Sequence, residues 1–410
     1  MRSFSAIALD EPARVERPVV EDRASPQPTA RPRLDSIDLL RGLIMVLMAL
    51  DHTRDFFGTS AMNPRDVHDP TLFLTRWVTH FCAPIFIFLA GLSAFLYGNR
   101  GRTRQEVSFF LFTRGAWLVL LELTVVLFAW TFDPAFNFFI LQVIWAIGWS
   151  MIALAGMIHL PRAIIATLAL AMIAGHNLLD GIKAEQLQDF GWLWLLLHEP
   201  GLMNPVPGVK VLAVYPLVPW IGVMAAGYVF GPVMNFPEPQ RRRWLLGSGI
   251  LLVGMFVGLR AVNIYGDPAA WQPSPTWGAS LLSFINCEKY PPSLLYLAMT
   301  LGPGLIGLAL FEGARGRLAG WLTTFGRVPF LYYIAHIYLI HLVAVAAAAF
   351  AGADLTWLFQ GTPMTKPDEY GVSLPVVYVL WLGIVLALYP LCRWFAALKR
   401  RRNDWWLSYL

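Results

Sequence analysis

The segment Asp51-His52-Thr53-Arg54-Asp55 combines a histidine with two carboxylates and an arginine. On a helix, residues three and four apart face each other, so Asp55 is placed to orient His52 and Asp51 to pair with Arg54. A carboxylate on one imidazole nitrogen fixes the tautomer and leaves the other nitrogen as a base. We therefore predict His52, Asp51 and Asp55 as catalytic residues for general acid–base chemistry. A charged helix end that emerges into water is the alternative, although Asp51 and His52 follow an apolar run directly.

Three further arginines, Arg41, Arg114 and Arg327, interrupt apolar segments in different parts of the chain. The guanidinium fork fits phosphate oxygens and stays ionised where water is scarce. We therefore predict that these three residues bind the phosphates of an anionic cofactor. An arginine near the end of a membrane helix can also extend its side chain to lipid phosphates, which is the alternative for each residue taken singly.

A third group of polar residues is predicted to contact a substrate. A charged side chain at bilayer depth costs at least about 2.5 to 3.5 kcal/mol, so each such residue needs a partner or a water-filled cavity. The predicted substrate-binding residues are His80, His176, Asn177, Arg260, Glu288 and His336. For a single histidine of this kind, hydrogen bonding at a helix end is the commoner role.

The chain that must position these residues has the composition of an integral membrane protein. Of its 410 residues, 57% are hydrophobic and only 14% are charged, and the mean hydropathy is +0.55. Soluble domains carry about 25% charged residues, so soluble, disordered, fibrous and nucleic-acid-binding chains are excluded. Cys82, Cys287 and Cys392 have no metal-ligand spacing, so neither a disulfide framework nor a metal site is expected.

Ten apolar segments are long enough to cross a hydrocarbon core, which takes roughly 20 residues. We predict an all-α integral membrane protein, a bundle of about ten transmembrane helices over residues 35–397. The predicted spans are 37–57, 72–98, 108–130, 138–158, 161–179, 211–233, 244–264, 292–313, 321–348 and 373–396.

The distribution of lysine and arginine predicts the orientation of this bundle. With both termini in the cytoplasm, 19 of the 31 basic residues lie on cytoplasmic segments and only five on outside loops. This asymmetry follows the positive-inside rule. It places a disordered tail predicted for residues 1–34 and a basic tail predicted for residues 398–410 on the cytoplasmic side. It also places the three cofactor arginines towards the cytoplasm and most histidines towards the outside.

This polarity suits a reaction between an anionic cytoplasmic donor and an acceptor outside. A transporter or flippase for a sugar-containing or proton-coupled solute is the rival interpretation, because such proteins also carry buried acidic and basic residues. Glu122, near the middle of a predicted span, can relay protons in such a protein. It can equally form a structural ion pair with Arg114 or Arg41.

The opening of the first span resembles a known family. RLDSIDLLRG at residues 33–42, followed by an apolar helix that ends at His52, is similar to the heparan-α-glucosaminide N-acetyltransferase-like family of multi-pass membrane acyltransferases. Three later stretches are also similar to this family. They are FCAPIF at residues 81–86, YPLVPWIG at residues 215–222 and GRVPF at residues 326–330 with the following helix to His336. The resemblance covers about residues 33–345.

The resemblance implies transfer of an acyl group, commonly acetyl, from a cytoplasmic acyl-CoA to a hydroxyl or amine of an extracytoplasmic glycan. It maps the family's arginine in the first helix to Arg41 and its catalytic polar residue to His52. The expected co-substrate is acetyl-CoA or another acyl-CoA, with no metal. The expected partners are membrane lipid, the acyl-CoA and a glycan acceptor, with a homodimer as a further option and no nucleic acid. A bacterial inner membrane is the expected location.

Overall fold

The computed structural model describes residues 35–360, 365–402 and 404–408. The tail predicted at residues 1–34 lies outside these residues, as do positions 403, 409 and 410 of the tail predicted at 398–410. Within the described residues, the chain is mostly helical, as predicted.

Sixteen α-helices, numbered in chain order, make up most of the described chain. The first eight are α1 (Asp35–Phe57), α2 (Pro70–Thr79), α3 (Cys82–Gly98), α4 (Arg104–Leu121), α5 (Leu127–Thr131), α6 (Val143–Met157), α7 (Arg162–Gly175) and α8 (Gly191–Leu197). The next eight are α9 (Leu217–Phe230), α10 (Glu238–Val262), α11 (Trp277–Ile285), α12 (Leu294–Leu310), α13 (Arg317–Arg327), α14 (Pro329–Phe350), α15 (Thr356–Gln360) and α16 (Leu374–Arg401). Three strands are β1 (Phe138–Leu141), β2 (Gly201–Val206) and β3 (Val209–Ala213).

Seven of the described helical segments are long and apolar enough to cross a membrane. α2 with α3 forms one such segment and α4 with α5 another, and the remaining five contain α7, α9, α10, α14 and α16. α6 and α12 are apolar but shorter. These segments support the predicted integral membrane class. The number of ten spans and the cytoplasmic position of both termini stay predictions.

The predicted span 138–158 is a strand followed by a helix. β1 ends at Leu141, and α6 begins only at Val143. Gln142 between them has an extended backbone, with φ −106° and ψ −154°, and its N–H donates to Glu122 Oε1 at 2.9 Å. A continuous apolar run does not distinguish a buried strand from a helix, which is why hydropathy predicted a single span.

The three strands form one small mixed sheet in the order β1-β3-β2. β1 pairs parallel with β3, so that Leu141 lies opposite Ala213, and β2 pairs antiparallel with β3. Because β1 and β3 run in the same direction, their carboxyl ends meet at one edge of the sheet, where Gln142 and Val214 follow. This edge contributes to the cavity that contains the candidate site.

The predicted span 321–348 is divided into two helices at Val328. α13 ends at Arg327 and α14 starts with Pro329. Val328 has φ −132° and ψ 48°, outside the helical region, because the ring of a proline disfavours helical backbone in the residue before it. Proline itself is accepted at the first helical position, where its missing N–H is not needed. As a result α13 and α14 pack on α1 as separate helices.

α1 lies at the centre of these contacts. It packs against α2, α3, α12, α13, α14 and α16, and most of its side chains are buried. Both of its ends are polar, with Asp35 and Asp38 in the first turn and Arg54 in the last. Acidic residues at a helix N-terminus and basic residues at its C-terminus complement the helix dipole.

Two glycines allow α1 and α13 to cross with their backbones in contact. A Cβ added at Gly42 would lie 1.9 Å from the carbonyl oxygen of Leu322, and one added at Gly326 would lie 1.7 Å from that of Asp38. No side chain fits at such distances. Small residues at helix interfaces allow this close approach in membrane proteins.

Gly326→Ala is therefore expected to destabilise the protein, because the new methyl group must push α13 away from α1. Overpacking of this kind costs about 1–3 kcal/mol or more, which thermal unfolding in detergent would report as a lower Tm. Gly320→Ala on the same helix is the matched control, since a Cβ there meets nothing within 4 Å in the described chain. The control should be neutral or more stable by up to about 1 kcal/mol. Equal Tm values for the two variants would contradict the close crossing.

Candidate active site

A cavity of about 380 Å³, which we call the His52 cavity, lies at the C-terminal end of α1. Its walls come from α1, α2, α3 and α5, from the carboxyl ends of β1 and β3, and from the segment before α12. The polar residues that line it are Asp51, His52, Arg54, Asp55, Thr59, Ser60, Thr79, Gln142, Tyr215, Lys289, Tyr290 and Lys366. A concave space with several convergent polar groups is the usual form of a small-molecule site.

His52 forms a hydrogen-bonded pair with His336 of α14. His52 Nδ1 lies 2.7 Å from His336 Nε2, and the two rings are nearly parallel, with centroids 4.9 Å apart. His336 is fully buried, and its Nδ1 lies 2.9 Å from the backbone carbonyl oxygen of Tyr332, one turn earlier in α14. The three groups form a chain of hydrogen bonds that leads from the helix backbone to the cavity.

The Tyr332 carbonyl determines where the protons of this chain lie when both rings are neutral. A carbonyl oxygen only accepts, so His336 Nδ1 must donate to it. His336 Nε2 then carries the lone pair and accepts the proton of His52 Nδ1. The remaining nitrogen, His52 Nε2, is left as an acceptor on a residue that lines the cavity. This is the arrangement of a general base that is oriented through its far nitrogen.

Arg54 engages the carboxylates that were predicted to orient His52. Arg54 Nη2 lies 2.6 Å from Asp51 Oδ1 and 2.9 Å from Asp55 Oδ1. The Asp51–Arg54 pair has the predicted partners, whereas His336 occupies the place expected for Asp55 beside His52. A guanidinium has several charged donors in a fixed fork, so it attracts two carboxylates more strongly than a neutral imidazole does. The three residues together leave one excess negative charge next to His52.

Aromatic rings hold the His52 imidazole in position. Trp130 contacts it edge-on with centroids 4.8 Å apart, and Tyr333 does so at 6.2 Å. Phe56 stacks on Trp130 with centroids 5.5 Å apart. Because these rings and His336 cover the other sides of the imidazole, a reactant reaches His52 from the cavity.

The segment before α12 supplies a buried cation to the cavity. Lys289 is buried and lines the cavity together with Tyr290, and its Nζ lies 5.0 Å from the centre of the Tyr290 ring. Burial alone would lower the pKa of Lys289, but the neighbouring Tyr290 hydroxyl and Asp51 carboxylate outweigh burial and raise this pKa above its ordinary value. Lys289 therefore carries its positive charge at neutral pH.

Glu288, predicted to bind substrate, shapes the turn that presents Lys289. Its carboxylate lies 3.0 Å from Arg65 Nη2 and accepts hydrogen bonds from the backbone N–H groups of Lys289 and Tyr290. Since these donors occupy its oxygens, Glu288 acts on the cavity through the position of its neighbours.

Arg260, also predicted to bind substrate, is buried and donates hydrogen bonds to backbone carbonyl groups. The residue is 1% exposed, and its guanidinium donates to the backbone carbonyls of Ala269, Ser283, Phe284 and Asn286. Asp267 Oδ1 lies 3.6 Å from its Nη1. A buried charge needs this degree of hydrogen bonding to be tolerated. Through these bonds Arg260 joins the loops on either side of α11 to the end of α10, and the substrate-binding role stays a prediction.

The other predicted substrate residues also lie outside the lining. His80 lies directly after the lining residue Thr79, and its ring contacts Tyr296 edge-on at 5.4 Å. His176 and Asn177 follow α7 and belong to a separate polar cluster. Within the described residues, none of the six predicted substrate-binding residues lines the His52 cavity, and His336 acts through His52.

The opposite end of α1 carries a second polar group of residues, which we call the Asp38 cluster (Asp35, Asp38, Arg41 and Arg327). Arg41 Nη1 lies 3.2 Å from Asp38 Oδ1, and Arg327 Nη2 lies 3.3 Å from Asp35 Oδ1. Arg41 also donates to the carbonyl of Gly326 at 3.3 Å. His52 follows Arg41 by eleven positions, which separates this cluster from the cavity by about 16 Å along the helix, at a rise of 1.5 Å per residue.

Two of the three predicted cofactor arginines are thus brought together, and both contact carboxylates. The third, Arg114, lies on α4 with its guanidinium carbon 5.9 Å from the centre of the Phe110 ring. Arg41 supports the crossing of α1 and α13, since it bonds to the backbone of Gly326. Arg327 has the more open position, with 33% of its side chain exposed.

A family model for the catalytic domain of heparan-alpha-glucosaminide N-acetyltransferase matches residues 33–266. The chain belongs to this family. The match covers more than half of the chain and confirms the predicted resemblance. No curated protein matches the chain significantly. Membership implies a membrane acetyltransferase, in agreement with the apolar helices of the described fold.

The part that matches the heparan-alpha-glucosaminide N-acetyltransferase domain runs from the start of α1 to just beyond α10. It includes His52 and its arginine-bound carboxylates but ends before Lys289 and His336. In this member of the family, the histidine at the cavity therefore comes from the matched part, and the imidazole that orients it comes from α14.

Neither Gln142 nor the turn at Glu122 that binds its backbone was predicted from the sequence. Glu122–Val126 is a π-helical turn between α4 and α5, a form that is frequent near functional sites. Glu122 is buried there and accepts the backbone N–H of Gln142, rather than forming the ion pair predicted with Arg114 or Arg41. A hydropathy pattern carries no signal for such a turn. For Lys289 a signal exists, since it precedes two prolines at the start of an apolar helix.

The hydrogen-bond chain predicts the tautomer of His52. In protein labelled with ¹⁵N-histidine, NMR should show neutral His52 with its proton on Nδ1, and His336→Ala should shift it towards the Nε2–H form that free imidazole side chains prefer. The exposed His159 is the control, because its tautomer should not respond to the substitution. An Nε2–H tautomer of His52 in the unsubstituted protein would contradict the chain.

Proposed function

We propose that this protein transfers an acetyl group from acetyl-CoA, or another acyl-CoA, to a hydroxyl or amine of an extracytoplasmic glycan, with His52 as the general base. The observation that carries the proposal is the imidazole pair, because it leaves His52 Nε2 as an acceptor at the cavity. Family membership supports the acetyltransferase class. A transporter does not need a histidine with a fixed tautomer at the wall of a cavity.

The chemistry balances with the groups that line the cavity. His52 Nε2 removes the proton of the acceptor O–H or N–H while the acceptor atom attacks the thioester carbonyl carbon. The C–O or C–N bond forms, the C–S bond breaks, and the proton passes from His52 to the departing thiolate. The excess negative charge of the Asp51–Arg54–Asp55 group stabilises the imidazolium that exists between the two proton transfers.

Lys289 is the group best placed to stabilise the tetrahedral intermediate. Its ammonium is fixed at the cavity wall and remains charged at neutral pH. A buried cation aimed at a developing oxyanion does not need to reorganise during the reaction, which is the main source of electrostatic catalysis. Thr79 and Tyr290 add hydroxyl groups to the same wall.

The acyl donor is proposed to bind between the two ends of α1. Arg327, with its partly exposed side chain, is the cluster residue most able to bind phosphates of the donor. The thioester at the end of the long pantetheine arm would then reach the His52 cavity. With the termini in the cytoplasm, as the basic residues indicate, the Asp38 cluster faces the cytoplasm and the cavity faces outwards.

The acceptor is proposed to bind at the outer part of the cavity. Tyr215 and Tyr290 lie with ring centroids 5.3 Å apart in an edge-to-face arrangement, and Gln142 and Lys366 line the same space. Aromatic faces with amide and ammonium groups beside them suit a sugar ring, which has apolar faces and a polar rim.

Substitution of the imidazole pair tests this mechanism. In nanodiscs supplied with radiolabelled acetyl-CoA and envelope glycan fractions, His52→Ala should lower kcat/KM about 10²- to 10⁴-fold, because the base is lost. His336→Ala should lower it by up to about 10⁴-fold through loss of the correct tautomer. His159→Ala, at an exposed site remote from the cavity lining, should retain full activity.

The result that would overturn the proposal is acetyl transfer by His52→Ala at the rate of the unsubstituted protein. Proton-coupled uptake of a solute without any acetyl transfer would favour a transporter instead. Label retained on the protein without acceptor, and absent from His52→Ala, would place the acetyl group on the histidine before transfer.

Lys289→Met should lower kcat about 10²- to 10³-fold with little change in KM, because methionine keeps the length of the side chain and removes the charge. Lys289→Arg should recover part of the loss. Lys210→Met, at an exposed lysine outside the lining of the His52 cavity, is the control and should leave kcat unchanged. Steady-state kinetics with acetyl-CoA as the varied substrate measure both constants. A rise in KM alone would show that Lys289 binds the donor and does not stabilise the transition state.

A further inference from the structure

Three side chains after α7 form a cluster that the proposed reaction does not use. His176 begins a 3₁₀ turn, His176–Leu179, at the end of α7, and Asp180 follows it. His198 comes directly after α8. One nitrogen or oxygen from each of the three side chains lies within 4.8 Å of the others, and none of these residues lines the His52 cavity.

The two imidazoles of this cluster are buried without the hydrogen bonds that burial requires. His176 is 2% exposed and His198 is 3% exposed. Within the described chain, neither nitrogen of His176 and only one nitrogen of His198 has a polar partner of good geometry. The Pro292 carbonyl faces the His176 ring without reaching hydrogen-bond geometry. Buried polar atoms are normally satisfied, so a buried imidazole without a partner in a cluster of possible metal-ligating groups points to a ligand there.

Asn177 holds the carboxylate of Asp180 in a fixed direction. Its Nδ2 donates to Asp180 Oδ2 at 2.9 Å, and its Oδ1 accepts the backbone N–H of Leu294 at 2.9 Å. The other carboxylate oxygen, Oδ1, faces His198 Nε2 at 3.3 Å. A hydrogen bond to one carboxylate oxygen that orients the other oxygen is typical of the groups that surround metal ligands.

The spacing of these atoms is compatible with a bound metal ion. Two ligands at about 2.0–2.1 Å from a tetrahedral Zn²⁺ ion are about 3.4 Å apart, close to the 3.3 Å between Asp180 and His198. All three ligand atoms lie within 4.8 Å of one another, so side-chain rotations that move an atom by at most about 1.4 Å bring each pair to this spacing. An Asp180–His198 ion pair alone would leave the buried His176 unexplained.

We propose that His176, Asp180 and His198 bind a divalent transition-metal ion, with Zn²⁺ as the ion that suits two imidazoles and one carboxylate. Three protein ligands leave the fourth position for water. The ion joins the end of α7 to the segment after α8, and through Asn177 to the start of α12, which follows Lys289. The expectation of no metal rested on the cysteines, and this cluster contains none.

Metal binding by the full chain tests the proposal without any measurement of activity. Protein in detergent, stripped with a chelator and dialysed, should bind about one Zn²⁺ per chain and should give the visible d–d absorption of tetrahedral Co²⁺ when Co²⁺ replaces zinc. His176→Ala and His198→Ala should weaken Zn²⁺ binding by more than tenfold. Asn177→Ala should weaken it about 10- to 100-fold, as expected for a residue that positions a ligand. His159→Ala is the histidine control and should bind as the unsubstituted chain does.

A thermal measurement separates loss of the ion from loss of the fold. Zinc should raise the Tm of the unsubstituted chain, since a ligand that binds the folded state stabilises it. It should not raise the Tm of His176→Ala, whose Tm without metal should match that of the stripped protein. Where the alanine variant fails to fold, His176→Gln keeps a polar group of similar length and serves in its place. Absence of stoichiometric Zn²⁺ binding by the unsubstituted chain, or unchanged binding in His176→Gln, would overturn the proposal.

Discussion

The structure depends on α1, a helix that is covered on several sides and carries charged residues at both ends. α1 packs against six other helices, so each charged group that it carries needs a partner from a neighbour or from itself. At one end Asp38 pairs with both Arg41 of α1 and Arg327 of α13. At the other end Arg54 holds both Asp51 and Asp55. The charges of α1 thus have partners close by, with one excess negative charge left next to His52.

The position of His52 depends on how closely other helices approach α1. Gly42 and Gly326 allow α13 to touch the α1 backbone, and the break at Val328 redirects the chain into α14. α14 can then place His336 against His52, with its own backbone carbonyl as the last acceptor. The orientation of His52 therefore depends on a backbone contact about three turns of α1 away, because the rise and turn per residue of an α-helix are fixed.

Much of the architecture could be predicted because membrane burial leaves a strong pattern. Long apolar runs predicted the helical class, and α1 spans Asp35–Phe57 where a span at 37–57 was expected. The i,i+3 spacing predicted the Asp51–Arg54 pair correctly. The strand at Phe138–Leu141 could not be predicted, since apolar residues suit a buried strand as well as a helix. The carbonyl groups around Arg260 could not be predicted either, because a sequence does not show which backbone groups surround a guanidinium.

The sequence by itself determined the class of the protein, its family and the histidine at the end of the first helix, because these rest on composition and on local spacing. Only the tertiary structure decided which group orients His52. Arg54, Asp55 and His336 all compete for partners there, and the outcome depends on distances between atoms that lie up to 284 residues apart in the chain. The same holds for the cluster of His176, Asp180 and His198. The spacing of its members along the chain does not indicate a metal site. They become a potential metal site only where the end of α7 meets the end of α8.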